Sequence, residues 1–241
     1  MVQPDGTVER LQLLGMDFII AYTNIVDTII LCLASGGINA RKRASDAMDT
    51  HTHTHFQLPE ATPSPALQAW LDEERAVQAR LDAGPGPGVI RPEQAAGRNG
   101  LELMQAMLRG EVPYPPIAQT LDFLLISVGD GSAVFQGRPG TAHLNPMNGV
   151  HGGWFATLLD SALGCAVHTR MPPGRSYTTA ELSINLVKGL TPRVPRVRAE
   201  GRVLHCGRQL ATAEARLVGA DGTLYAHATT TCLVFDMPAS R

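Results

Sequence analysis

The chain has 241 residues, 44% of them hydrophobic and 17% charged, with a mean hydropathy near zero. This is the profile of a globular protein with a full core, either one domain with extra sequence attached or two small ones. A formal net charge of −2 without a long basic cluster argues against nucleic acid as the main partner. The four scattered cysteines, Cys32, Cys165, Cys206 and Cys232, form no CxxC pair and read as reduced thiols of a cytoplasmic protein.

The first apolar segment runs from Leu11 to Ser35. Asp17 and Asp27 interrupt it, each costly at the centre of a bilayer, and the uninterrupted run from Thr28 to Ala34 is too short to span one. A signal peptide would need a basic leader and a small-residue cleavage site, and neither is convincing. The segment reads as a poorly structured or peripheral extension with no membrane partner. A start codon assigned too far upstream at Met1 would also account for it. Arg41-Lys42-Arg43 follows, and then His51, His53 and His55, which would share one face of a strand. A solvated polar segment is the simpler reading, and no metal is expected.

Residues 65–82 predict a helix, because Leu67, Trp70, Leu71, Val77 and Leu81 recur near a period of 3.6 with charged residues between them. Gly84-Pro85-Gly86-Pro87-Gly88 breaks the chain. A second short helix, Gly100 to Arg109, ends at Gly110 and the proline-rich stretch Pro113 to Pro116. These divisions predict a partly disordered N-terminal extension over 1–95, with one short amphipathic helix, and a main domain over 96–241.

From about Ile117 the pattern changes to strands around one long helix. Leu121 to Val128 and Ala133 to Arg138 read as a hairpin turned at Gly129-Asp130-Gly131. Gly152 to His168 reads as a helix that is apolar almost all round, hence buried, and that stops at Met171-Pro172-Pro173-Gly174. Four strand candidates follow: Tyr177 to Lys188, Arg196 to Leu204, Leu210 to Val218 and, after the Asp221-Gly222 turn, Leu224 to Phe235. Two strands, a buried helix and an antiparallel meander describe an α+β fold, with a sheet wrapped around one central helix.

The most informative segment is Asn145-Pro146-Met147-Asn148-Gly149-Val150-His151-Gly152-Gly153, followed by an apolar stretch with a single carboxylate at Asp160. A glycine-rich loop that opens a helix points free N–H groups and the positive end of the helix dipole at whatever lies in front, and so polarises a carbonyl without a charged side chain. An acid two turns later, among alanines and leucines, is best explained by catalysis.

These residues resemble the hotdog-fold thioesterases, specifically the PaaI-type acyl-CoA thioesterases of phenylacetate metabolism. The carrying pattern is Asn145, Gly149, His151-Gly152-Gly153 and Asp160. Thr178-Thr179-Ala180-Glu181-Leu182, Gly207-Arg208 and Asp221-Gly222 add support, and the resemblance spans about Gly100 to Phe235. It implies that the Gly152 N–H receives the thioester oxygen and that Asn145 orients that oxygen or the attacking water. It further implies that His151 shapes the loop, that Asp160 is general base or nucleophile, and that a hydroxyl near Thr179 holds the carboxylate or the water; Thr178 is adjacent. Gly153 would allow close approach, and Gly207 and Arg208 would lie near coenzyme A, with no metal or organic cofactor. Where members often carry proline after the basic residue ending the third strand, this chain has Gly189 after Lys188.

Gly152 and Asp160 are eight residues apart, about 12 Å along a helix at ~1.5 Å per residue. Reacting atoms must come within about 3–3.5 Å, so one thioester cannot comfortably touch both in a single chain. The chemistry therefore predicts a homodimer with shared sites, alone or as a dimer of dimers. Plainer readings stand beside these: Asp160 as a structural acid, the glycine pair as a tight loop, His151 as a cap, Arg208, Arg193 and Lys188 as solvated charges, and Cys165 as core rather than nucleophile. The rival functions are a non-catalytic acyl-CoA binder on the same fold and a hotdog enoyl-CoA hydratase.

Overall fold

A computed structural model describes residues 8–13, 16–21, 30–33 and 62–237. The chain divides into two units, Met1–Pro59 and Glu60–Arg241. In the first, β1 (Val8–Leu13), β2 (Met16–Ala21) and β3 (Ile30–Leu33) form an antiparallel sheet in the order β1-β2-β3. Strands are not what the sequence predicts there: β2 and β3 carry their apolar residues in consecutive runs, and β1 offers only a short alternation at Leu11 and Leu13. Arg41–Arg43 and the histidines at 51, 53 and 55 lie outside the described residues. Among the described residues, no helix is long and apolar enough to cross a membrane.

The second unit opens with α1 (Pro65–Asp82). The Ser64 hydroxyl caps it by accepting from the Leu67 N–H at 3.2 Å, and Pro65 occupies the first turn, where its missing N–H costs nothing. A short α2 (Pro92–Ala95) precedes α3 (Gly100–Leu108), which starts on a reciprocal pair: Asn99 Oδ1 accepts from Glu102 N and Glu102 Oε2 from Asn99 N, both at 2.9 Å. After α4 (Pro116–Thr120) come β4 (Phe123–Gly129) and β5 (Ser132–Gly137), a 3-10 turn at Thr141–His143, and α5 (Gly152–His168). Then β6 (Arg175–Leu186), β7 (Val197–Cys206), β8 (Leu210–Gly219) and β9 (Leu224–Asp236) complete an antiparallel sheet in the order β4-β5-β7-β8-β9-β6. This is the α+β hotdog architecture that the sequence predicts. Only β7, β8 and β9 form the meander, however. The loop after β6 carries the chain across to β7, which leaves β6 on the far edge beside β9.

The sheet curls around α5, whose Leu158, Leu159, Ala162, Leu163, Ala166 and Val167 are fully buried. The strands opposite present small residues, among them Ala199, Ala211, Ala213, Ala215, Ala226 and Ala228, so the helix backbone comes close. The closest approach is at Gly201, where a Cβ would run into the Ala162 carbonyl oxygen. Backbone cannot swing aside as a flexible side chain can, so Gly201→Ala is expected to cost about 1–3 kcal/mol of stability, read as a lower urea midpoint at unchanged slope. An unchanged midpoint would contradict so tight a helix–sheet contact.

On the outer face, α1 is fastened over β5 and β7 by a largely buried polar network. Glu74 receives two hydrogen bonds from Arg196, at 2.5 and 3.0 Å. Gln136, buried on β5, donates to Glu74 Oε2 at 2.6 Å and accepts from Arg198 Nε at 2.8 Å. The Arg198 guanidinium also lies 4.4 Å from the centroid of the Trp70 ring. Arg198 is paired with Glu73 as Arg196 is with Glu74, so every charge in the network has an opposite partner, which is the condition for burying such groups.

Candidate active site

The loop before α5 is built by its own polar atoms. Asn145 Oδ1 accepts from the N–H groups of Met147 (2.9 Å) and Gly149 (3.1 Å), while the Asn145 N–H donates to the Gly149 carbonyl at 2.8 Å. Such side-chain-to-backbone bonds are how Asn fixes a tight turn. Asn148 sits in the left-handed region at φ 64°, which Asn tolerates better than most residues. The Asn145 oxygen is thus committed to the loop, and its Nδ2 has no acceptor among the described residues. Trp154 anchors the assembly from below: its indole N–H donates to the Leu121 carbonyl at 2.8 Å and its ring stacks on His143 at 5.6 Å.

His151 caps α5. Its Nδ1 accepts from the Gly153 N–H at 2.9 Å, which puts the proton of the neutral ring on Nε2, and its carbonyl accepts from the Trp154 N–H at 2.9 Å. Two of the first three helical N–H groups are therefore engaged. That of Gly152 alone has no acceptor among the described residues, and Gly152 is half-buried. The geometry leaves one free donor where the helix dipole is most positive.

Asp160 lies one and a half turns past the first turn, half-buried, and its Oδ1 accepts from Thr179 Oγ1 at 3.0 Å. Beyond it the helix narrows at Gly164, where a Cβ would lie 2.6 Å from Tyr177 Oη. Burial pushes the Tyr177 phenol well above its ordinary range and the Cys165 thiol up to about 12, with the Asp160 charge adding to both. Cys165 is accordingly a protonated thiol and no nucleophile. Burial lowers His168, which favours its neutral ring.

Thr179, not Thr178, faces the helix because of a β-bulge. The β6–β9 register slips between Thr179 and Glu181, so that Thr179 opposes Cys232 while Glu181 opposes Thr231. An extra residue inserted in this way reverses the alternation. Thr179 and Leu182 therefore both face inward, whereas Thr178 pairs with the outward Leu233. No period-2 reading of the sequence finds this register; the only local sign is two adjacent threonines followed by Ala180.

The predicted site residues fall into three groups. Asn145, His151, Gly152 and Gly153 gather at the start of α5, where a Cβ on Gly152 would touch Leu186 at 3.4 Å. Asp160 and Thr179 meet in the middle of the helix. Gly207 and Arg208 form the β7–β8 turn, closed by a 2.8 Å bond from Gly207 N to the Leu210 carbonyl and tied to the start of β6 by Arg175, which donates to the Arg208 carbonyl. Within one chain the first two groups do not meet: they touch β6 at Leu186 and at Thr179, about 20 Å of strand apart at ~3.3 Å per residue.

Comparison with known proteins points the same way. The model of the thioesterase superfamily matches residues 147–226, a span that includes Gly152, Asp160 and Thr179. A phenylacetic acid degradation-related protein of Ralstonia eutropha JMP134 is 30% identical, with a TM-score of 0.50 over 54% of this chain and 97% of that one. A variant of the phenylacetic acid degradation protein PaaI from Thermus thermophilus is 27% identical, with a TM-score of 0.44 over 49% and 97%. A conserved protein of Pseudomonas aeruginosa is 26% identical, with a TM-score of 0.48 over 51% and 95%. No curated protein matches the chain significantly.

Proposed function

We propose, since the chain belongs to the PaaI-type group of hotdog-fold thioesterases, that it hydrolyses acyl-CoA thioesters to a free acid and coenzyme A. The observation that carries this reading is the pairing on one helix of a single free N–H at Gly152 with a single carboxylate, Asp160, held by one hydroxyl. The N–H polarises the thioester carbonyl and stabilises the oxyanion as the carbon becomes tetrahedral. Asp160 either attacks that carbon directly or takes a proton from the water that does. Collapse of the intermediate expels coenzyme A as a thiolate, a good leaving group. On the water route this gives the free acid at once. On the direct route it leaves a mixed anhydride on Asp160 that water then hydrolyses to the acid and the restored carboxylate. Asn145 Nδ2 is a second donor for the carbonyl or the water. His151 holds the loop through its cap, and Thr179 fixes the carboxylate. Gly153 lets the substrate approach, and the exposed Gly207-Arg208 turn offers a cation to the phosphates of coenzyme A. None of these steps calls for a metal or an organic cofactor, and the reading assigns a cytoplasmic enzyme.

The same reading requires two copies of the chain. β6 is an edge strand of twelve residues, and among the described residues only β9 pairs with it, so one side presents an open row of N–H and C=O groups. Pairing of β6 with β6 of a second copy would close both edges and lay the two α5 helices antiparallel. Gly152 of one chain would then face Asp160 of the other. The half-exposed face of α5 at Ala156, Thr157, Asp160 and Ser161 is the surface such a partner would cover. A row of exposed apolar residues on the outer sheet face, Leu204, Leu210, Leu233 and Phe235, with Leu210 directly opposite Leu233, supports pairing of two dimers there.

The test is a panel of aromatic and aliphatic acyl-CoA thioesters assayed with a thiol-reactive dye. At least one member should be cleaved with kcat/KM of about 10⁴ M⁻¹s⁻¹ or more. Tight binding without thiol release across the panel, or hydration of an enoyl-CoA in its place, would overturn the reading.

A further inference from the structure

Thr230 is a polar residue buried to 2% exposure on the inner face of β9, in a row otherwise made of Ala226, Ala228, Cys232 and Val234. A hydroxyl in such a place needs a partner. Its partner is on the neighbouring strand: Thr230 Oγ1 donates to the Glu181 carbonyl at 2.7 Å. Glu181 is the residue at which the β6–β9 ladder resumes after the bulge, and Thr230 stands opposite Leu182, the first inward residue past it.

A bulge leaves backbone groups without regular ladder partners. The Thr230 hydroxyl adds a bond from the side to the first ladder carbonyl past the bulge, that of Glu181, and so fixes where the extra residue, Ala180, is accommodated. That location decides which face Thr179 occupies. If the bulge moved toward the start of β6, past Thr179, that residue would join the alternation in which Leu182 and Ile184 face inward, and would rotate away from α5, because side chains on a strand alternate. The chain of contacts thus runs from Thr230 Oγ1 to the Glu181 carbonyl, through the bulge to Thr179, and from Thr179 Oγ1 to Asp160 Oδ1. The Cys232 thiol lies between, 3.9 Å from Thr230 Oγ1, and it faces Thr179 across the strand pair.

We propose that Thr230 is a positioning residue of the Asp160 site: its hydroxyl pins the β6 bulge that aims Thr179 at the catalytic carboxylate. The inference rests on the thioesterase reading. It assigns Thr230 no contact with substrate. Removing the hydroxyl takes away the side-chain tie to the Glu181 carbonyl and frees the bulge to shift, so the effect falls on the rate of the chemical step rather than on binding.

The experiment measures steady-state kinetics on the best acyl-CoA substrate for Thr230→Val, Thr230→Ser, Thr179→Val and the double variant Thr179→Val/Thr230→Val. Thr230→Val should lower kcat roughly 10- to 100-fold with KM moved less than about twofold, the range for a displaced catalytic group. Thr230→Ser, which keeps the hydroxyl, should return kcat to within about threefold of the parent, and the double variant should be no slower than Thr179→Val alone. Should Thr230→Val fail to fold, Thr230→Ala compared with Thr230→Ser repeats the test, since these two differ only in the hydroxyl. A hydroxyl-free variant with parental kcat overturns the proposal. So does a double variant whose loss is the product of the two single losses, because Thr230 would then act independently of Thr179. Asp160→Asn assayed alongside separates the two levels: if that variant is fully active, the thioesterase reading of the site fails, whereas an inactive Asp160→Asn beside an unimpaired Thr230→Val sinks the positioning role alone.

Discussion

Asp160→Asn lowers kcat by about 10²–10⁴-fold, the usual contribution of a positioned acid–base or nucleophilic group, while the protein remains folded. The isosteric amide keeps an oxygen able to accept from Thr179 Oγ1, so the helix–strand contact at 3.0 Å survives. Only the capacity to take a proton or to attack carbon is removed. KM should move little, because Asp160 acts on the reacting centre and not on the long body of coenzyme A. Thermal unfolding checks the fold, and thiol release checks the rate. A variant with near-parental turnover would remove Asp160 from the mechanism.

Gly152→Pro deletes the proposed oxyanion donor without disturbing the helix, and it should reduce kcat by about 10²–10³-fold, the effect of losing one such donor. Proline suits this position on three counts. It has no N–H, and at the first helical residue none is used within the helix. His151 before it has φ −62° and ψ 137°, in the extended region that a following proline demands. A side chain at 152 meets only the far end of Leu186, at 3.4 Å. The cap in which the Gly153 N–H donates to His151 Nδ1 also remains available. Gly152→Ala, which keeps the N–H, should lose far less. Equal losses in the two variants would mean that crowding at position 152, rather than the donor, governs the rate.

Much of this molecule can be read from the order of its residues. The bounds of α5, Gly152 to His168, are legible because a glycine pair opens the helix and Pro172-Pro173-Gly174 follows its end. α1 is legible from the spacing of Leu67, Trp70, Leu71, Val77 and Leu81. Its fastening to the sheet is not, because Gln136, Arg196 and Arg198 look like ordinary outward strand positions until β5 and β7 lie side by side under the helix. Strand alternation does not encode strand order, and β6 is placed beside β9 by a crossing loop that the pattern leaves unspecified. The hydroxyl that reaches Asp160 is hidden for a different reason. A single inserted residue at Ala180 breaks the period on which any face assignment depends, and the group that holds it, Thr230, lies 49 residues beyond Glu181. β2 and β3 are masked by their own hydrophobicity, since consecutive apolar residues fit a buried helix or a strand equally well.

The central claim is that each active site takes its amide donor from one chain and its carboxylate from another, and subunit complementation tests it most directly. Asp160→Asn and Gly152→Pro chains, carrying different affinity tags, are co-expressed, and the mixed dimer is purified through both tags. Each parent homodimer should keep about 1% of the unmodified turnover or less. The mixed dimer contains one site with both defects and one with neither, so it should recover about half the turnover of the unmodified dimer. A mixed dimer as inactive as its parents, with both tags confirmed in the same particle, would contradict the shared site and the catalytic arrangement built on it.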